Sequence, residues 1–273
     1  MPITVKPLDA PLGAEILGLD ARNITEEDRK AIFDAFLQHH ILVLHDQHLT
    51  DAELVEFGKC FGTIEKSRVI SPLSGRDDIM VISNIREDGK PLGQLPDGEM
   101  SFHFDRIHQK QPCRAAALMA LEIPKEGGDT LFANMVLAYE TLPDDLKQKI
   151  AGRTALNTFT YGATSPDKRE GQGPQCEHPV ARTIPETGKK ALYVCRLMSD
   201  RINGMDPTES RALLDQLCDH AENPRFTYQH KWKVGDIVVW DNRATQHART
   251  DFSEMERRLM KRVTIGDDRP PMH

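Results

Sequence analysis

Residues 101–110 read SFHFDRIHQK and carry two histidines and an aspartate within a short span. In extended backbone, side chains two apart point the same way. A strand over 102–106 therefore aims His103 and Asp105 to one face and Phe104 to the other, and an imidazole and a carboxylate so spaced can chelate one ion. Alone the pair is weak evidence, because His-x-Asp is common as surface decoration. His108 needs a turn to join them. The remaining histidines divide by context. His178 falls in a turn-rich stretch, and His230 lies on an aromatic strand face, where a hydrogen-bonded core histidine is the plainer reading. His39, His40, His45 and His48 cluster near the end of the first helix, where they can cap carbonyls. His247, in GDIVVWDNRATQHARTDF (235–252), follows a buried strand closely enough for a loop to turn it back towards the sheet. His103, Asp105 and His247 make a set of two histidines and one carboxylate. Such a set covers one face of an octahedral Fe(II) and leaves adjacent positions for a bidentate 2-oxo acid and for O2. Zinc, content with a closed tetrahedral site or one open position, is not excluded.

The rest of the chain suits a soluble enzyme. Its 273 residues, 39% apolar, can bury a sizeable core without disulfides. A formal charge of −7 argues against a general nucleic-acid binder, which needs a basic surface. Cys60, Cys113, Cys176, Cys195 and Cys218 are odd in number and scattered, a pattern of reduced thiols in a cytoplasm. No secretory signal opens the chain and no apolar run is long enough to span a bilayer. The expected partner is a small molecule, neither nucleic acid nor membrane.

Periodicity predicts helices over 25–40, with Thr25 as N-cap, over 50–62, over 137–152 and over 206–223. Strands are predicted at 41–44, 79–85, 114–123, 130–135, 154–161, on both sides of a Pro-Glu-Thr-Gly turn within 179–195, at 226–232, from 236 and over 257–266. The alanine-rich 114–123 is ambiguous by propensity. Stretches 63–78 and 162–178 are polar and turn-rich, and read as surface loops or lids within one domain of residues 1–273. Many short strands, few helices and no regular β-α alternation predict a mainly β fold with flanking helices (α+β), a sandwich or barrel with its helices outside.

In RRLMKRVTI (257–265), Arg258 and Arg262 are four apart and share a strand face, where an arginine can hold a carboxylate bidentately. A solvated basic strand end would look the same. At this point LTDAELVEFGKCFGTIE, VISNIREDGKPLG, FHFD, EIPKEGGDTLFANM, HPVARTIPETGKKALYV and the 235–265 region, in that order, resemble the taurine dioxygenase / 2,4-dichlorophenoxyacetate dioxygenase (TauD/TfdA) family of Fe(II)- and 2-oxoglutarate-dependent oxygenases. The resemblance implies a double-stranded β-helix (jelly roll, cupin-like) core and a homo-oligomer. It implies His103, Asp105 and His247 as iron ligands. Thr130 and Arg258 correspond to the pair that holds the distal carboxylate of 2-oxoglutarate, and Arg262 to an arginine near the co-substrate or the primary substrate. The implied reaction consumes O2 and 2-oxoglutarate, releases succinate and CO2, and hydroxylates a small anionic substrate, with cleavage through a hydroxylated intermediate as one outcome.

The substrate side departs from the family pattern. Phe102 stands where relatives often have Trp, Phe104 where they have a small residue, and Arg106 and His108 where many have small or apolar ones. Cys195 and Arg196 replace a common Asn-Pro. Phe102, Arg196 and Arg262 are the substrate-side candidates, with a salt bridge to a nearby acid the competing reading of Arg196. Two other functions stay open: a catalytically silent jelly-roll binder and a zinc-dependent hydrolase.

Overall fold

The strand Ile41–Leu44 is buried on both faces. Ile41 and Val43 enter one apolar cluster, Leu42 and Leu44 another. A strand so patterned needs a packed layer on each side. The computed structural model, which describes residues 3–94, 98–160, 162–168 and 173–273, supplies both layers with two facing sheets. Their strands, in chain order, are β1 (Thr4–Pro7), β2 (Ala14–Leu17), β3 (Ile41–Leu44), β4 (Met80–Ser83), β5 (Met100–His103), β6 (Cys113–Glu122), β7 (Thr130–Asn134), β8 (Thr227–His230), β9 (Ile237–Asp241), β10 (Thr245–Arg249) and β11 (Leu259–Gly266). The large sheet runs β1-β2-β3-β9-β6-β11-β4 and the small one β8-β7-β10-β5. Every pairing is antiparallel except β2 with β3. This is the expected mainly β architecture, a double-stranded β-helix core with flanking helices.

Alternation sorts side chains between the layers. Val238, Trp240, Ala116, Leu118 and Met260 of the large sheet meet Phe132 of the small sheet in the space between them. The opposite large-sheet face (Ala115, Ala117, Val239, Val263) packs beneath α1 (Glu26–His39) and α2 (Asp51–Gly58). Thr25 and Thr50 begin these helices with reciprocal capping boxes to Asp28 and Glu53. The outer face of the small sheet is covered by α3 (Met135–Glu140), α4 (Asp144–Ile150), α5 (Pro207–Ala221) and a three-stranded sheet of Gln175–Pro179, Thr154–Thr158 and Ser199–Ile202. The alanine-rich segment resolves as the long strand β6, whose alanines are fully buried from both sides.

Three expectations need correction. The strand over 102–106 stops at His103 and Asp105 opens a turn, so the turn and not strand alternation brings its carboxylate beside His103. The helix over 137–152 is two helices, because Pro143 lacks an N–H and disfavours helical backbone in the residue before it. The loop over 162–178 contains a 3-10 turn at Pro166–Lys168 and ends in the strand Gln175–Pro179, so His178 is a buried strand residue. Tyr161 and residues 169–172 of those predictions lie outside the described residues. Among the described residues no helix is long and apolar enough to cross a membrane.

Candidate active site

β5 and β10 pair so that His103 faces His247 directly across the ladder, with ring centroids 4.2 Å apart. His247 also pairs with Phe132 of β7, and its ring lies 4.9 Å from that of Trp240, so both histidines point between the sheets. Asp105 follows two residues after His103, and its Oδ2 lies 3.8 Å from His247 Nε2. One potential ligand atom from each of the three residues falls within 4.8 Å of the others. The His103 Nδ1 donates to the Ser101 carbonyl at 3.0 Å, which leaves the lone pair on Nε2. Burial lowers the pKa of His103 and, with His103 beside it, pushes His247 down to about 3. Burial opposes ionisation of Asp105, but Arg262 and the two histidines outweigh it and hold the carboxyl below the ordinary carboxylate range. Near neutral pH the cluster thus offers two neutral imidazoles and one carboxylate, the protonation a divalent ion requires. His247 Nδ1 is buried without a hydrogen-bond partner. These three residues fit a metal.

The chain locks Asp105 through a residue that sequence reasoning missed. Asn242 is fully buried; its Oδ1 accepts the Asp105 N–H at 2.8 Å, and its Nδ2 donates to the Asp105 and Cys113 carbonyls at 3.0 Å each. A hint lay in DNRATQ, a polar run directly after an apolar strand, every residue of which is buried.

On β11 and the residue just before it the odd and even positions separate as predicted. Lys261, facing α2, pairs with Asp51, while Arg258 and Arg262 are buried between the sheets beside Met260. The structure brings Arg262 to Asp105: Nη1 donates to Oδ1 at 3.0 Å and Nη2 lies 2.9 Å from Oδ2. Arg258 is different. Its Nε has no partner, no ion pair reaches it among the described residues, and its ring neighbour is Phe252 at 5.8 Å. Burial, with Arg249 adding repulsion, pushes its pKa down to about 9. Thr130 is buried on β7, and its Oγ1 accepts from Trp232 Nε1 at 3.0 Å, so its own proton remains to donate. The glycines of GGDT are required by geometry. Gly127 and Gly128 have positive φ, and a Cβ on Gly128 would sit 3.3 Å from Arg258 Nε.

Arg196 is placed elsewhere. Its Nε donates to Glu222 at 3.0 Å and its Nη2 to Asp219 at 2.7 Å, so its guanidinium is committed to α5 and the residue that caps it. The competing salt-bridge reading holds, because both acids lie one helical turn apart on the same side of α5. Phe102 is half-buried on β5, and its carbonyl accepts from Leu197 N–H at 3.3 Å.

Comparison with known proteins agrees with this arrangement. A family model described as "Taurine catabolism dioxygenase TauD, TfdA family" matches residues 4–264. The chain is similar to a pentalenolactone F synthase of Streptomyces arenae, 34% identical over 95% of this chain and 94% of that protein. It is similar to an (S)-phenoxypropionate/alpha-ketoglutarate-dioxygenase of Sphingobium herbicidovorans, 30% identical over 97% and 95%. The crystal structure of AAD-2 in complex with Mn(II) and N-oxalylglycine superposes with a TM-score of 0.87 at 29% identity, covering 100% of both chains. A neutral-histidine and carboxylate triad between the sheets of a jelly roll, joined to these matches along the whole chain, shows that the protein belongs to the TauD/TfdA family of Fe(II)- and 2-oxoglutarate-dependent dioxygenases.

Proposed function

We propose that His103, Asp105 and His247 hold Fe(II), that Arg258 and Thr130 hold the distal carboxylate of 2-oxoglutarate, and that the chain hydroxylates a small organic acid, with cleavage through the hydroxylated product as one outcome. When bound, Fe(II) supplies the O2 activation that couples decarboxylation of 2-oxoglutarate to substrate oxidation. The observation that carries the reading is the buried Arg258 guanidinium, which no carboxylate meets in an ion pair although Asp129 acts on it from further off, set on the same inner face as the triad. A buried cation without a partner is costly, and a carboxylate arriving with the co-substrate removes that cost. The Thr130 hydroxyl, already accepting from Trp232, donates its proton to the same carboxylate. Arg262 holds Asp105 in position through the paired contacts and keeps it ionised. The apolar walls of Phe132 and Trp240 exclude water around these groups.

The substrate class follows from chemistry of this kind in relatives. Phenoxypropionate, named for one of them, is an aryloxyalkanoate, and that class heads the acids to test. We read residues 1–273 as one domain, working in the cytoplasm as a homo-oligomer; free Cys60, Cys113, Cys176, Cys195 and Cys218 suit a reducing compartment.

Succinate release that needs both Fe(II) and O2, measured across a panel of such acids, tests the proposal. His103→Ala is expected to abolish it, and full activity in that variant would remove His103 from the ligand set.

A further inference from the structure

Among the arginines near the triad and its flanking turn, three differ in how their charge is met. Arg258 has no ion-pair partner among the described residues, and Arg262 is committed to Asp105. Arg106, one residue beyond Asp105, has φ of 56°, a left-handed conformation that non-glycine residues seldom adopt without reason. The turn it opens closes with the Gln109 N–H on the Arg106 carbonyl at 2.9 Å. Ile107 is fully buried in the apolar cluster outside the small sheet, which anchors the turn that carries Arg106 and His108. The Arg106 guanidinium forms an ion pair with Glu65, and each of the two side chains is 28% exposed. Glu65 belongs to the 63–78 loop and is moored to the end of β11 through its N–H to the Thr264 carbonyl at 2.9 Å. Arg106 follows Asp105 directly, and its partner Glu65 is held at Thr264, two residues past Arg262 on β11, so the ion pair borders the same site.

Beside it stands a flat wall with unused hydrogen-bonding capacity. The His108 ring stacks on Phe159 with centroids 4.7 Å apart and an interplanar angle of 29°. His108 Nδ1 and Thr160 Oγ1 are both buried and without partners. Thr164 is fastened to the metal strand, since the Ser101 N–H donates to its carbonyl at 2.8 Å. A buried polar atom left unpaired costs free energy, so a set of them beside an exchangeable cation points to a ligand that completes the group.

We propose that Arg106 is the counter-ion for the primary substrate's acidic group, which displaces Glu65 from it, while the substrate's planar body lies along His108 and Phe159. This rests on the dioxygenase reading above and narrows it: the substrate is an organic anion with a flat ring, recognised by exchange of one carboxylate for another. Glu65 keeps the cation paired in the resting chain and discriminates against uncharged ligands, which cannot replace it.

Calorimetric titration under argon tests this on the metal-free chain and on the chain loaded with Fe(II) and 2-oxoglutarate. The probes are 2-phenoxypropionate, 2-phenoxyethanesulfonate and the neutral 2-phenoxypropionamide. The wild type is expected to bind at least one of the two anions about tenfold more tightly than the amide, the value of one charge-assisted contact. Arg106→Gln is expected to erase that preference by weakening the anion alone. Glu65→Gln is expected to tighten the anion several-fold, because its competitor is gone. Neither variant should alter 2-oxoglutarate affinity, which also reports that each is folded. Equal affinity for anion and amide, an anion preference that survives Arg106→Gln, or no binding of any probe to a chain that binds 2-oxoglutarate would overturn the proposal. A purely structural bridge would lower the melting temperature in both variants and move no affinity, which also overturns it. Failure to bind 2-oxoglutarate counts instead against the co-substrate site, and the metal-free titrations still decide the role of Arg106.

Discussion

Burying the Arg258 guanidinium without an ion-pair partner costs free energy that a methionine at the same place would not. Arg258→Met should therefore raise the stability of the ligand-free chain by about 1–3 kcal/mol while abolishing its affinity for 2-oxoglutarate. Thermal melts check both halves. The variant should melt higher than wild type without ligand, and only the wild type should gain further on adding 2-oxoglutarate. A lower melting temperature in the ligand-free variant would mean that Arg258 has a stabilising partner in the fold. The spacing of Arg258 and Arg262 in the sequence was enough to put them on one face. It could not say who sits opposite, and that partner separates Arg262, locked to Asp105, from Arg258, which waits for one. Arg196 shows the same limit, since Asp219 and Glu222 reach it only because α5 folds back beside it.

At the level of elements, strong local signals were legible. Thr25 and Thr50 announced α1 and α2, and the apolar runs at 41–44 and 237–241 are strands buried from both sides. What failed was competition between signals. The apolar periodicity over 137–152 continues through Pro143 although the backbone cannot, and the polar composition of 162–178 masked a strand at Gln175–Pro179 paired to Thr154–Thr158. Neither moves the three metal ligands, which stand between the two main sheets. The same separation yields a prediction for α2, whose capping box joins Thr50 and Glu53 on the outer face of the large sheet. Thr50→Ala should cost about 1 kcal/mol of stability, seen as a lower denaturation midpoint with an unchanged slope. Its 2-oxoglutarate affinity should equal that of wild type; a loss of affinity would show that the outer face is coupled to the chemistry.

For the molecule as a whole, several imidazoles are buried in neutral form. His40, left-handed at φ 66° and closing α1, is the clearest, with its pKa pushed down to about 4 by burial. The unfolded chain takes up a proton near pH 6.5 that the folded chain refuses until about pH 4. Stability from this group is thus complete above about pH 6.5 and is lost as the pH falls towards 4, with a limit of about 3 kcal/mol. His40→Asn, which tolerates the same backbone conformation, should flatten the acid side of the stability curve measured by urea denaturation at pH 5, 6 and 7. An unchanged slope would place the proton uptake elsewhere. The sandwich with external helices could be read from alternation, whereas the triad needed the ordered family motifs beside its residue types. The clamp of Asn242 on Asp105 could not, because it depends on two turns meeting across more than a hundred positions of chain.

Strand parity on β11 works here like a reading frame. Arg258, Met260 and Arg262 serve the chemistry, and the residues between them serve the helices. Inserting one residue within this strand would turn at least one arginine out beneath the helices, however conservative the inserted residue. Two residues would restore the face but carry the cation about 6.6 Å along the sheet. Loops remote from the site can therefore change length, while the stretch from 258 to 262 must keep its count.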